Sequence, residues 1–428
     1  MTALKNHTPH DEDALRTILS NAPAESLKPV GSLTSKSRCF ETNGLMIHGT
    51  HFKEISVKEN GVVKVGSGVL LVDLLEVLTT HQLALPTIGE WHGQTLGGAI
   101  STGTHGGSYV HGSLVSSVRS ITLIDGLGAL RHLTRDDPVF VHTVPTFGLT
   151  GVAISYELQC EPLFSIALER NLLSFDSYLQ RLLDVDGAEF RASIWLPALD
   201  QVLDYAGNRS ELSVDGVLTK RETRFNTPTL ILDWLSKQLA RSGRDFDGLG
   251  WRGRWANQIA KFTYLCLPSK SYAGLYHDMI APLSGDAAKI LAKRARNRTP
   301  PEGEFAVSLN RVKELLLELR RHFADTGHYP DRPIGLRPAA AETGTLFATQ
   351  GEACVWVSLF IYAENPLMEL IPKLLMKYEA RPHWGKCVFH PLDEINHLYK
   401  GWSEFLTHRA HIDPQRQLIN QFAKDLGI

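Results

Sequence analysis

QTLGGAISTGTHGG, residues 94–107, is the stretch on which the reading of this chain turns. Five of the fifteen residues from 95 to 109 are glycine, a density that destabilises regular elements and marks close approach of the backbone to something else. Between the glycines stand Ser101, Thr102, Thr104 and His105. Small residues let main-chain N–H groups reach a bulky ligand, and the hydroxyls add partners for phosphate and ring oxygens. A large anionic cofactor fits that chemistry. On composition alone, so does a loop needed only for tight packing.

Upstream, residues 11–21 carry apolar Leu15, Ile18 and Leu19 at helical spacing, and Pro23 blocks continuation. Residues 27–30, 45–48, 62–65 and 83–85 are brief β-type runs punctuated by Gly or Pro, with helical periodicity at 70–81 between them. The fragment GSG at 66–68 has neither a third glycine at dinucleotide spacing nor the Lys-Ser/Thr of a P-loop, so it reads as a turn. Downstream, 118–124, 129–133 and 150–160 read as strands, and Pro162 is a domain exit. This is an α+β pattern without regular βαβ alternation. Further on, the spacing predicts a helix over 310–326, a buried strand over 355–362 and a helix over 366–378. The basic run at 289–298 reads as a solvated helix face.

With 428 residues, 43% apolar and 21% charged, the chain can bury a sizeable core in two or more domains. A net charge of -2 sets up no global field toward nucleic acid or an anionic membrane. Five cysteines, odd in number and without CxxC or Cys/His spacing, are the pattern of reduced cytosolic thiols; no metal site is expected. No signal peptide and no apolar run of membrane-spanning length is evident, which places the protein in the cytoplasm. The lack of GxSxG and HExxH excludes hydrolases of those types.

Order then adds what composition lacks. The phrase VVKVGSGVLLVDLLEVLTTHQLALPTIGEWHGQTLGGAISTGTHGG, residues 62–107, resembles the FAD-binding core of the vanillyl-alcohol oxidase superfamily, with its strand, glycine turn, helix, LPTIG phrase and GGxxxTGTHG-type loop. The later GLTGVAISYEL resembles the segment that closes around the adenine end in these proteins. The C-terminal RPHWGK at 381–386, followed by WSEFLTHRAHIDPQRQLINQF, is similar to the aldonolactone and alditol oxidase branch. The resemblance covers roughly residues 27–160 and 330–428. It implies an α+β fold: a two-subdomain, PCMH-type FAD-binding domain over 1–162 and a substrate (cap) domain over 163–394. The cap would be an antiparallel sheet flanked by helices, and 395–428 would return to the FAD-binding domain. The active site falls at the domain junction.

Residue by residue, the resemblance puts the pyrophosphate loop on Val30, Gly31, Ser32, Leu33, Thr34 and Ser35. Further cofactor contacts fall on Gly97, Gly98, Ser101, Thr102, Gly103, Thr104, His105 and Gly106, on Gly151 and Val152, and on Lys386. The family's loop often carries a histidine tethered to the flavin where this chain has Thr34, which implies non-covalent FAD. PIGLRP at 333–338 matches a family strand of the type PxExR: Arg337 is kept, and Gly335 replaces the glutamate.

The resemblance further implies hydride transfer from a CH–OH carbon to flavin N5, with molecular oxygen or another acceptor taking the electrons. Arg337 and Lys386 are then the catalytic candidates for stabilising negative charge. His105 and His383 are the groups available near neutral pH, with loop orientation and packing beside Trp384 as their plainer roles. Glu342 could replace the missing carboxylate if its loop folds inward, and Cys387 should point away from the site. The expected partner is a small hydroxylated, sugar-like molecule, an aldonolactone or polyol. A pocket rebuilt for a glycoside, nucleoside or other natural-product alcohol suits Gly335 as an alternative, and a flavin-binding scaffold without catalysis is opposed by Arg337 and Lys386. No nucleic-acid partner and no membrane span are expected.

Overall fold

The structure is a computed structural model that describes residues 5–211, 258–259, 261–262, 271–280 and 301–428; the basic run at 289–298 and Cys266 lie outside the described residues. The chain begins with a three-stranded parallel sheet, Lys5–His7, Leu45–His48 and Leu27–Val30 in that spatial order. The helix Glu12–Asn21 covers it. Its N-cap Asp11 accepts the Ala14 N–H, and it buries Leu15 and Leu19. A five-stranded antiparallel sheet follows, in the order Ile55–Val57, Val62–Gly66, Val152–Gln159, Val118–Ile124, Leu130–Thr134. The helix Leu71–Thr80 places Leu71, Leu74, Leu75 and Leu78 in the core over this sheet, the i, i+3, i+4, i+7 pattern that its sequence spells. The glycine-rich stretch itself begins as a short helix, Leu96–Thr102. Thr95 caps it by accepting the Gly98 N–H, and Gly103 ends it in the left-handed region at φ 72°.

An eight-stranded antiparallel sheet forms the second body, in the order Ser271–Leu275, Ser165–Ser174, Gln201–Ser210, Phe190–Leu196, Ile334–Ala339, Cys354–Phe360, Glu302–Ser308, Arg381–Pro382. Alternation along these strands gives it two different faces. On one, Trp195, Ile334, Leu336, Val355, Val357, Phe305 and Val307 bury against the helices Phe175–Leu182, Leu309–Thr326 and Ile371–Lys377. Each such side chain stabilises the fold by about 1.5–3 kcal/mol. On the other face stand Gly335, Arg337, Trp356, Ser358, Glu302 and Glu304, which carry no core for the helices. The expected helix over 366–378 is broken in two, a short 3-10 turn Pro366–Glu369 and the helix Ile371–Lys377, because each segment restarts at its own proline.

The C-terminal helices Trp402–Ile412 and Gln421–Asp425 pack back on the first body. Phe405, Ile419 and Phe422 share a core with Phe147, Leu149 and Cys39, and the Leu27 N–H donates to the Gln417 carbonyl at 3.0 Å. The protein is thus α+β: a first body built on the three- and five-stranded sheets, and an antiparallel sheet flanked by helices.

Candidate active site

A cleft runs between the two sheets of the first body, and most of the residues expected to hold the cofactor line it: Val30, Gly31, Ser32, Leu33, Thr34, Ser35, Gly97, Gly98, Ser101, Thr102, Gly151 and Val152. Close backbone approach explains the glycines. A Cβ at Gly31 would stand 2.2 Å from Thr95 Oγ1, so the loop and the capped helix meet only if that position is bare. The turn at Ser67 and Gly68 also lines the cleft, as do Lys28 and the loop from Thr143 to Thr150; of these, only Gly148 and Thr150, in the GLTGVAISYEL segment, were expected near the cofactor. Walls of small residues, hydroxyls and backbone N–H groups, with a buried lysine among them, fit a long anionic dinucleotide such as FAD.

Gly103, Thr104, His105, Gly106 and Lys386 do not line this cleft. Gly103 ends the helix, and the Thr104 hydroxyl donates to Gln94 Oε1 at 2.9 Å. From there the stretch leaves the first body and joins the second: the Arg191 N–H donates to the Gly107 carbonyl at 2.8 Å and the Ser108 N–H to the Pro338 carbonyl at 2.9 Å. One glycine-rich segment therefore connects the cleft to the polar face of the large sheet. The HWGK phrase closes the connection from the other side, with the Lys36 N–H donating to the Gly385 carbonyl at 2.8 Å.

At this junction Arg337, Lys386, His105 and His383 are brought together, and the group they surround is Glu304, which is 2% exposed. The Ser358 hydroxyl donates to Glu304 Oε1 at 2.7 Å, and Arg337 Nη1 lies 3.3 Å from the same oxygen. His105 Nε2 and Lys386 Nζ stand 3.6 and 3.9 Å from Oε2. Beyond them Lys386 pairs with Glu302 at 2.5 Å, Glu302 with Lys36 at 2.7 Å, and Arg337 with the exposed Glu90 at 2.5 Å. Burial alone would raise the Glu304 pKa, but His105, Lys386 and Arg337 together hold it well below the usual carboxylate range. Burial opposes the charge on Lys386 and Arg337 as well, and the glutamates more than offset it, raising both.

The two histidines differ. His105 gives its Nδ1–H to the Gly106 carbonyl at 2.8 Å, so Nε2 faces Glu304, and its ring lies flat on Trp356 with centroids 4.0 Å apart. His383 turns away from the role expected beside Trp384. Its ring packs on Trp356 and His105, while Trp384 enters the C-terminal core and donates to the Leu346 carbonyl at 2.7 Å. Burial pushes His383 down to about 3, which keeps it neutral. Its Nδ1 accepts the Gly385 N–H at 2.9 Å, leaving the proton on Nε2. Although the ligand atoms of His105, Glu304 and His383 lie within 4.8 Å of one another, that tautomer and the cations beside Glu304 disfavour a bound ion there.

Glu304 corrects the expectation placed on Glu342. Glu342 is buried, but it accepts the Ser113 N–H and hydroxyl at 2.9 and 2.6 Å and the Thr349 hydroxyl at 2.7 Å, so it clasps two loops outside the cluster. The carboxylate lies instead on the row of Gly335. Gly335 pairs with Ser358 and Ser358 with Glu304, which puts Glu304 two strands away, about 10 Å at the usual strand spacing. A clue was present in EGEF at 302–305, where alternation sends both glutamates to one face. The Cys387 thiol lies against the Lys36 carbonyl at 3.5 Å, outside the Glu304 cluster.

Residues 156–426 match the family described as D-arabinono-1,4-lactone oxidase, and residues 7–134 match the FAD binding domain family. L-gulonolactone oxidase of Mus musculus is 27% identical over 97% of this chain and 93% of its own. L-gulono-1,4-lactone dehydrogenase of Mycobacterium tuberculosis is 24% identical over 97% and 94%, and alditol oxidase of a Streptomyces species is 24% identical over 85% and 80%. Cholesterol oxidase from B. sterolicum shares the fold, with a TM-score of 0.74 at 15% identity, covering 98% of this chain and 93% of that one. Cleft, cluster and matches define an FAD-dependent oxidoreductase acting on CH–OH groups. Within that class, the chain belongs to the D-arabinono-1,4-lactone oxidase family. Among the described residues no helix is long and apolar enough to cross a membrane.

Proposed function

We propose that this protein oxidises a carbinol of a sugar-like molecule, an aldonolactone or polyol, at the junction of the cleft and the Glu304 cluster. The observation that supports the reading best is the placement of two cations, Arg337 and Lys386, around one buried carboxylate beside the cleft. When bound, FAD supplies the two-electron acceptor for the substrate hydride. Arg337 and Lys386 stabilise the negative charge that develops on the substrate oxygen, acting where little water competes. Glu304 holds both in place, and His105, carried by the glycine-rich stretch itself, orients the loop through Nδ1 and points Nε2 at Glu304.

The electrons pass to oxygen or another acceptor. The division at 162 and 395 is part of the same reading, as is residence in the cytoplasm, which Cys39, Cys160, Cys354 and Cys387 support by being free. Turnover on a panel of aldonolactones and alditols tests the reading: at least one member is oxidised. Gly335 presents no side chain at the polar face; among the described residues a Cβ there would meet only Ser358, at 3.1 Å. Turnover confined to glycosides or nucleosides would transfer the assignment to that class.

Thr34, on the cleft wall, offers no imidazole for a tether, so FAD is held without a covalent link. Acid precipitation of the purified protein should release all the yellow colour into the supernatant; colour retained in the pellet would reveal a link through another residue.

A further inference from the structure

Lys28 is 1% exposed, yet it lines the cofactor cleft from the strand Leu27–Val30, which leads directly into the 30–35 loop. Its ammonium donates to the Phe147 carbonyl at 2.8 Å and lies 5.4 Å from the centre of the Phe147 ring. Among the described residues it has no carboxylate within ion-pair distance, and Cys39, from the short helix Arg38–Phe40, is the titratable group whose charge acts on it. The carbonyl it holds belongs to a residue at φ 38°, followed by Gly148 at φ 80°, on the 143–150 loop that also lines the cleft. A buried ammonium held by one carbonyl and a ring face is costly unless an anion completes its surroundings.

We propose that Lys28 is a cofactor-positioning residue: its buried ammonium is the counter-charge for the diphosphate of FAD and ties the 143–150 loop to that diphosphate, so capture of FAD requires Lys28 to be protonated. The inference rests on FAD as the cofactor and is independent of the substrate. Burial lowers the Lys28 pKa to about 8 in the cofactor-free protein, opposed by Cys39. Above that pH the free protein loses the proton, and binding of the dianionic diphosphate must restore it. The sign is therefore fixed: affinity is flat below the Lys28 pKa and falls as pH rises through it.

The test is FAD titration of cofactor-free protein, produced under flavin depletion, between pH 7 and 9.5. Calorimetry in two buffers of different ionisation heat counts the protons. The dissociation constant is expected to rise about 30-fold over that range, with about one proton taken up per FAD at the alkaline end and almost none at pH 7. Lys28→Arg keeps its charge and should bind FAD with no slope, whereas Cys39→Ala should keep the slope. Lys28→Met is expected to bind weakly at all pH values. A flat wild-type profile, or a slope that survives in Lys28→Arg, would overturn the assignment while leaving FAD as cofactor intact. Failure to bind FAD at any pH would overturn both.

Discussion

Arg337→Met lowers kcat/KM by about 10²- to 10³-fold, the usual cost of removing one fixed donor to developing negative charge. Most of the loss should fall in kcat, because the contact strengthens as charge appears on the substrate oxygen and is weaker in the ground state. FAD content should stay at the wild-type level, since Arg337 stands on the large sheet and does not line the cofactor cleft. Glu90→Gln is the matching control. Glu90 also pairs with Arg337 but is largely exposed, so its loss should change steady-state kinetics only a few-fold. Equal losses in the two variants would mean that Arg337 serves the Glu90 pair and not the chemistry.

The second large effect is on Glu304. Glu304→Gln leaves Ser358 and the backbone in place but removes the charge that Arg337, Lys386 and His105 share. Arg337 and Lys386 keep Glu90 and Glu302, so the loss is that of the charged contacts made at the buried carboxylate, about 1.5–3 kcal/mol of stability at neutral pH. The pH dependence has a definite sign. The folded-state pKa of Glu304 is held well below its unfolded value, so its contribution is fully present above about pH 4.3 and is lost as pH falls through the folded value. The gap in unfolding free energy between wild type and Glu304→Gln should accordingly be constant at neutral pH and close in acid. Denaturant unfolding at several pH values measures it, and a gap that widens in acid would mean that Glu304 is protonated in the folded protein. Activity should fall as well, because Lys386 and Arg337 lose the partner that sets their positions.

Much of the cofactor cleft was legible in the sequence because its residues are local: the 30–35 loop and the 97–102 helix are short phrases whose glycines are required by close contact with each other. The periodic elements were legible for the same reason, as in Leu71–Thr80 with its four buried leucines. The carboxylate was not. Glu304 reaches Arg337 through the pairing of Glu302–Ser308 with Cys354–Phe360 and of that strand with Ile334–Ala339, a register set by tertiary packing and invisible to spacing within any one segment. Seeking a replacement near Gly335 led to Glu342, close in sequence but committed to Ser113 and Thr349. Lys28 was passed over because a lysine in a short strand ordinarily reaches solvent, and only the packing of Phe147 above it shows that this one does not.

The most direct measurement is the visible spectrum of the FAD-loaded protein, mixed anaerobically with a panel of aldonolactones and alditols. Bleaching of the flavin band by at least one of them, slowed about 10²-fold or more in Arg337→Met, is the expected result. A protein whose flavin is reduced by dithionite but by no member of the panel would contradict sugar-alcohol oxidation at this junction, and one that takes up no FAD would contradict the cofactor itself.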